Sequence, residues 1–232
     1  MIWLQQNAGM LWGLTLVHAG LSIPPIILGF VVSLPLGWLA YRFRVPRHAK
    51  IAFGGVVLTA GGLLYAIPSL ALFMVLPGIL GTSILDPVNV EVALTLYAIA
   101  LMVRTTADAL ASVEPDVRDS SKALGLSGWQ SFWRVELPLA GGPLLAGLRV
   151  VSVSTVSLLS VAAVIGVNTL GYLFLDGLQR DFPLEVSVGI VGSVVVAAVF
   201  DAVLVLVGRL AMPWQKALRE SRLTGVGEAA AS

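Results

Sequence analysis

The chain has 232 residues, of which 57% are hydrophobic and 12% charged, and 14 basic side chains nearly balance 13 acidic ones for a net charge of +1. A soluble domain carries about 25% charged residues, so this deficit excludes a chain that meets water on every side. The near-neutral balance offers no field for nucleic acid, which is not an expected partner, and the lack of cysteine excludes disulfides and thiolate metal sites.

Residues 1–16 read as a short external segment without the basic stretch and small-residue cleavage site of a signal peptide, so the first apolar helix is expected to stay in the mature protein. Five apolar segments follow, at about 17–40, 51–77, 91–111, 143–166 and 186–208. Each is close to the roughly 20 residues that carry a helix across about 30 Å of hydrocarbon. His18 opens the first span, where a lone histidine reads as an outer-side hydrogen-bonder.

The second span carries Pro68 and Pro77, and proline kinks helices. The reading is a bent helix that ends near Pro77, with Gly78 and Gly81 leading out. A re-entrant piece after Pro68 is the alternative, and it leaves the count between five and six. In the third span Arg104 stands one turn from Asp108, a spacing that suits an intrahelical pair or a snorkelling arginine as well as a gating role.

The segment 112–142 reads as two short helices. Pro115 suits a first helical position, and Asp116 and Asp119 suit the positive end of a helix dipole. Val117, Ser121 and Leu124 form a narrow stripe, and Gly125 is placed for a left-handed stop. Ser127-Gly128-Trp129-Gln130 forms a capping box, and Leu137-Pro138 is expected to close the second helix. Such a loop can dock a soluble partner or, through Trp129 and Trp133, anchor itself at the lipid surface.

The fourth span carries Arg149, close enough to one end to snorkel. Its hydroxyls, Ser152, Ser154, Thr155, Ser157 and Ser160, suit helix packing or a polar stripe. The last span carries Asp201, which can pair with a neighbouring helix or face a wet cavity. The tail 209–232 is expected to be partly disordered from about Gly225. Gly54, Gly61, Ser154, Ser157 and Ala197 suit close helix approach, within the subunit or against another. Tyr65, Phe73, Tyr97 and Tyr172 pack or belt the interface rather than build a binding cage.

Lysine and arginine set the orientation. Arg42, Arg44, Arg47 and Lys50 follow the first span, Arg118, Lys122 and Arg134 follow the third, and Arg209, Lys216, Arg219 and Arg222 follow the last. Eleven of 14 basic residues thus fall on one side, which places the N-terminus outside and the C-terminus in the cytoplasm. The stretch 167–185 has only Arg180, beside Asp176, Asp181 and Glu185.

The run Asp119-Ser120-Ser121-Lys122-Ala123-Leu124-Gly125, then nine residues from Leu126, then Val135-Glu136-Leu137-Pro138 resembles the EAA loop of ATP-binding-cassette (ABC) importer permeases. The Gly-to-Leu-Pro spacing matches, while Asp119-Ser120-Ser121 stands for the family's Glu-Ala-Ala. Ile67-Pro68-Ser69-Leu70-Ala71, Arg104-Thr105-Thr106, Val135-Glu136-Leu137-Pro138-Leu139-Ala140 and Ala146-Gly147-Leu148-Arg149 resemble the osmoprotectant branch of that family. The branch has Arg-Asn-Thr where this chain has Arg104-Thr105-Thr106, and a Gly-Ala-Gly-Gly-Leu-Gly stretch where this chain reads Gly166-Val167-Asn168-Thr169-Leu170-Gly171. The similarity runs from about residue 18 to 208.

The resemblance implies an all-α polytopic bundle of about five spans with the MetI-like fold of type I ABC importer permeases. It implies a non-enzymatic subunit in the cell (inner or plasma) membrane that forms the path for a solute such as glycine betaine, carnitine, choline or proline. The loop 115–138 would couple it to a separate ATPase subunit, on which ATP and Mg are bound; this chain would hold no cofactor, and no phosphate loop occurs in it. A second permease subunit, identical or paralogous, and an extracytoplasmic solute-binding protein are the other implied partners, with membrane lipid around the bundle. Pro68, Ser69, Arg104, Thr105, Thr106 and Asp201 are the pathway or gating candidates. An amino-acid importer permease is the nearest rival, followed by a stand-alone carrier or channel. An intramembrane protease lacks its signature, because His18 and His48 lie near no serine elbow and no Gly-x-Gly-Asp occurs.

Overall fold

A computed structural model describes residues 2–43 and 51–214, and among them every regular element is helical. Lipid offers no water to pair with an open backbone, and helices close their own hydrogen bonds. The elements are α1 (Ala8–Arg42), α2 (Ile51–Ala66), α3 (Ser69–Leu80), α4 (Pro87–Ala111), α5 (Pro115–Ala123), α6 (Gly128–Ser131), α7 (Gly141–Leu159), α8 (Gly171–Gln179) and α9 (Pro183–Ala211). The helical run Gly141–Ile165, α1, α4 and α9 are each long and apolar enough to cross a membrane. α2 and α3 pass the same test only as a pair, bent by 103° at the break between them, a geometry shared by a broken span and a re-entrant loop. The tail beyond Trp214, the loop basic residues Arg44, Arg47 and Lys50, and His48 lie outside the described residues.

The first long helix starts at Ala8, after a short turn at Ile2–Gln6, and so enters the stretch read from sequence as an external segment. Its polar side chain in this stretch, Thr15, donates to the Leu11 carbonyl at 2.8 Å, so the helix absorbs it internally. Pro24, Pro25 and Pro35 lie inside the same helix without ending it.

The second apolar segment does break at proline, but at Pro68 and not at Pro77. Pro68 cannot donate, and it disfavours helical geometry at Ile67. It takes φ −59°, ψ 131° and becomes the residue before α3. The Ile67 carbonyl freed by the break accepts the Tyr97 hydroxyl of α4 at 2.5 Å. Pro77 sits inside α3, which continues to Leu80 and stops at Gly81, in the left-handed region at φ 70°. The stop signal is therefore the glycine, whose amide returns to the Pro77 carbonyl at 2.9 Å.

α1 and α4 form the spine of the bundle. A Cβ added at Gly29 would overlap that of Ala98, and one added at Gly37 would overlap that of Thr106. The backbones approach this closely because these residues are glycine. Phe73, Leu76, Tyr97, Leu159 and Ile165 pack one core, and Met102, Leu110, Phe132, Leu144 and Val151 pack a second nearer the 112–142 loop. Phe73 and Tyr97 are thus core residues, and Tyr65 stands edge-on to Tyr97 at 5.7 Å between ring centres.

Gly54 and Gly61 also serve the subunit itself. A Cβ on Gly54 would lie 2.5 Å from the Ala40 carbonyl, and one on Gly61 would lie 3.4 Å from that of Ala100. The two ends of the bundle are marked by aromatic contacts. Trp3 meets Phe182 edge-on at 5.6 Å at one end, whereas Trp214 donates to the Pro138 carbonyl at 3.3 Å at the other. At the first end Arg180 pairs with Asp176 at 2.5 Å and with the fully buried Glu185.

These contacts predict a contrast between two glycines. Gly37→Val drives two methyl groups into Thr106 and should lower unfolding stability in detergent by about 1–3 kcal/mol, the usual cost of overpacking. Gly55→Ala, with nothing within 4 Å of the new Cβ, should leave the thermal midpoint unchanged.

Candidate functional site

The loop 112–142 is built by local signals that the sequence states openly. Pro115 occupies the first turn of α5, where its missing N–H needs no partner. Gly125 takes φ 77° with open space around it, so the left-handed turn and not crowding selects glycine. The Ser127 hydroxyl accepts the Gln130 amide at 3.3 Å, and the Gln130 side chain accepts the Ser127 amide at 2.9 Å. This is the expected capping box.

The second helix does not close at Leu137-Pro138 as the sequence suggested. A π-helical stretch, Phe132–Glu136, follows α6, and the Leu137 amide reaches back to the Phe132 carbonyl. The extra residue resets the ladder, so Pro138 falls in the first turn of the next segment, Leu137–Leu139, where no helical donor is required of it. The chain then passes Ala140 into α7. The loop's second helix is in this way continuous with a membrane-crossing helix.

A polar network locks α5 against this run. The Arg118 guanidinium donates to the Leu110 and Val113 carbonyls, each at 2.6 Å, and so caps the end of α4. It lies 4.9 Å over the Tyr41 ring of α1 and 4.0 Å from Glu136. Glu136 accepts the Ser131 hydroxyl at 3.1 Å, and Ser131 meets Ser121 of α5 at 2.9 Å. Ser121, Ser131 and Glu136 are all buried. One connected set of contacts therefore joins α1, α4, α5, α6 and the π stretch.

The tryptophans add a second fastening. Trp129 packs edge-on to Trp38 of α1 at 5.5 Å, the fully buried Phe132 packs against both rings at 5.6 and 5.7 Å, and Arg42 sits 5.1 Å over Trp38. These rings hold the loop to the bundle, which leaves the opposite face of α5 open. On that face Asp119, Ser120, Lys122, Ala123 and Gly125 are exposed, Leu126 is half-buried, and Leu124 is 81% exposed. Leu124 thus leaves the stripe it was read into with Val117 and Ser121. Lys122 donates to Asp119 at 2.7 Å and holds that carboxyl below its ordinary range.

The polar groups inside the spans divide into packing groups and accessible ones. Thr106 is fully buried beside Gly37, and Thr105 fills the space over Gly147 while its hydroxyl returns to the Leu101 carbonyl at 3.0 Å. Pro68 and Ser69 lie at the bend. Arg104 lies on an exposed face of α4, 3.9 Å from Asp108, so the one-turn pair forms. Arg149 pairs with Asp201 through two bonds, Nε to Oδ1 at 2.5 Å and Nη2 to Oδ2 at 2.7 Å. This joins α7 to α9 across 52 residues, a pairing that neither position announces in the sequence.

His18 is fully buried and not interfacial. The Leu170 amide donates to its Nδ1 at 3.3 Å, which leaves Nε2 as the donor to the Val156 carbonyl at 3.0 Å. The ring ties α1, α7 and the entry to α8. In the stretch 166–171, Gly166 adopts φ 89°, and a Cβ on Gly171 would collide with the Ser160 carbonyl. Both glycines are required by the backbone there.

With this geometry in hand, comparisons with known proteins are specific. Residues 11–217 match the family described as binding-protein-dependent transport system inner membrane component. The chain is 30% identical over 213 residues to the glycine betaine/carnitine/choline transport system permease protein OpuCB of Bacillus subtilis, covering 92% of this chain and 94% of that one. It is 34% identical over 178 residues to the osmoprotectant import permease protein OsmW of Salmonella typhimurium, covering 75% and 78%. Among solved structures, an inward-facing MetNI methionine ABC transporter superposes with a TM-score of 0.77 at 20% identity, over 88% of this chain and 97% of that one.

The network makes its own prediction. Arg118→Ala strands Glu136 and frees two carbonyls, and should lower stability by about 2–4 kcal/mol, in the range for breaking partly buried charged contacts. Amide hydrogen exchange across 115–139 should accelerate, whereas protection in the middle of α9 should hold.

Proposed function

We propose, on the footing that this chain belongs to the family of binding-protein-dependent transport system inner membrane components, that it is the membrane-spanning permease subunit of an ATP-driven importer for a small osmoprotective solute. Relatives named for glycine betaine, carnitine, choline and proline betaine transport support that solute class. A second copy or a paralogue completes the path, since α9 buries only Glu185, Gly189, Val196 and Gly208 along its 29 residues within the subunit. Partner ATPase subunits bind and hydrolyse ATP with Mg, and a solute-binding protein delivers cargo outside. This chain carries out no chemistry of its own.

The observation that carries the reading is the two-faced loop. One face of α5 is fastened to the bundle through Arg118, Ser121 and Glu136, while the other presents Asp119, Ser120, Lys122, Leu124 and Gly125 to an external partner. A large apolar side chain held in water on a stiff tip is a docking element. When the ATPase closes, force on α5 and α6 passes through the π stretch and Leu137-Pro138 into α7, and through Arg118 into α4. ATP binding changes the permease state only through contacts that differ between states. The loop faces the cytoplasm, and with it Trp214; Trp3 and Phe182 lie at the external end. Pro68, Ser69, Arg104, Thr105, Thr106 and Asp201 remain the pathway assignments; Pro68 and Arg104 are exposed, Ser69, Thr105 and Asp201 half-buried, and Thr106 fully buried.

Leu124→Asp tests docking without touching the subunit's own packing, because Leu124 is 81% exposed. A lost apolar contact of about 1.5–3 kcal/mol corresponds to docking weaker by roughly 10- to 100-fold. The variant should insert and melt like the parent, lose co-purifying ATPase, and lose ATP-dependent glycine betaine uptake in proteoliposomes supplied with the binding protein. Full uptake by this variant would contradict the docking role.

A further inference from the structure

Arg149 and Asp201 face an open cleft of about 360 Å³ between α7 and α9, lined also by Ala146, Val150, Val153 and Ser154. The pair is not sealed away: its side chains are 43% and 31% exposed. An ion pair among crossing helices ordinarily faces the bundle interior or a wet cavity, because unpaired charge at that depth is costly. Apart from the Ser154 hydroxyl the rest of the wall is apolar, with Val150 and Val153 themselves exposed. The packing of Thr105 over Gly147 sets the level of the site. Arg104 lies one residue and Arg149 two residues from that contact, so at 1.5 Å per residue the two guanidinium-bearing positions share a level to within about 3 Å.

We propose that this cleft is a transient subsite for a small zwitterion that carries a carboxylate and an alkylated ammonium, with Arg149 taking the carboxylate and Asp201 the cation. The proposal rests on the reading of this chain as the solute path. The chemistry is an exchange of partners. The planar fork of Arg149 that now holds the Asp201 carboxylate in two parallel bonds accepts a solute carboxylate in the same geometry. Asp201, released, faces the solute ammonium, whose methyl groups meet Val150 and Val153. No charge is left unpaired at any stage, so the site is entered and left without a deep trap. A plain cation such as choline cannot replace Asp201 on Arg149 and would leave the guanidinium unpaired. The cleft therefore favours zwitterions over cations.

The chain contains no cysteine, so a single Ser154→Cys substitution reports on the cleft. The variant is assembled with its ATPase and binding protein in proteoliposomes, and its labelling by a small neutral methanethiosulfonate is timed. Glycine betaine should slow labelling several-fold, choline should slow it little, and adding Arg149→Gln with Asp201→Asn should abolish the protection. That amide pair still hydrogen-bonds across α7 and α9, so a purely structural clamp would leave protection intact. Labelling unaffected by glycine betaine, or slowed equally by choline, would overturn the subsite. Glycine betaine uptake by the unsubstituted importer is measured in parallel. Uptake without protection refutes the subsite alone, whereas protection without uptake supports the subsite and refutes the solute reading.

Discussion

Arg118 touches α1, the end of α4, and Glu136 at the foot of α7. A helix end leaves carbonyls without partners, and a partly buried guanidinium needs acceptors; the Arg118 Nη2 meets two such carbonyls, while its Nε faces Glu136 at 4.0 Å. These contacts make the loop 112–142 part of the bundle instead of a tether beneath it. The Ser121–Ser131–Glu136 chain extends the same fastening to α5 and α6. A rigid element of this kind transmits displacement, which a flexible linker absorbs.

The same rule of complete backbone pairing shapes the rest of the membrane region. The break at Pro68 is tolerated because Tyr97 supplies the hydroxyl that Ile67 needs. The turn into α8 is held by His18, which accepts the Leu170 amide. The π stretch lets the chain carry Pro138 without a broken ladder. The first two irregularities lie where a side chain from another helix completes them, and the third closes through the backbone bond from the Leu137 amide to the Phe132 carbonyl. In the proposed transport role, alternation between states would use both the stiff rods and the defined joints.

Much of this was legible in the sequence wherever the signal is local. Gly125, the Ser127–Gln130 capping box and Pro115 each act within a few residues, and each takes the geometry its residue type demands. The apolar segments gave the crossings because lipid imposes one length scale. Long-range pairings left no such trace. Arg149 and Asp201 lie 52 residues apart, and either position is equally consistent with snorkelling, a wet cavity or a partner. His18 looked interfacial because sequence shows depth along a helix but not which face is covered. Leu124 looked like part of an apolar stripe, yet the left-handed turn after it swings its face outward. Pro77 looked like a terminator, but Gly81 ends the helix. The error at Pro138 has the same origin: a π stretch has no reliable sequence signature, and it shifts the proline to a harmless position.

In the proposed role the Arg118–Glu136 joint would carry movement of a partner ATPase into the bundle. The most direct test is the number of ATP molecules hydrolysed per solute imported in proteoliposomes that contain Glu136→Gln. That substitution keeps the Ser131 acceptor but removes the charge facing Arg118. If force passes through this joint, the ATPase still binds and hydrolyses while the ratio of ATP to imported solute rises several-fold. An unchanged ratio, in a variant whose loop exchange is measurably faster, would contradict it.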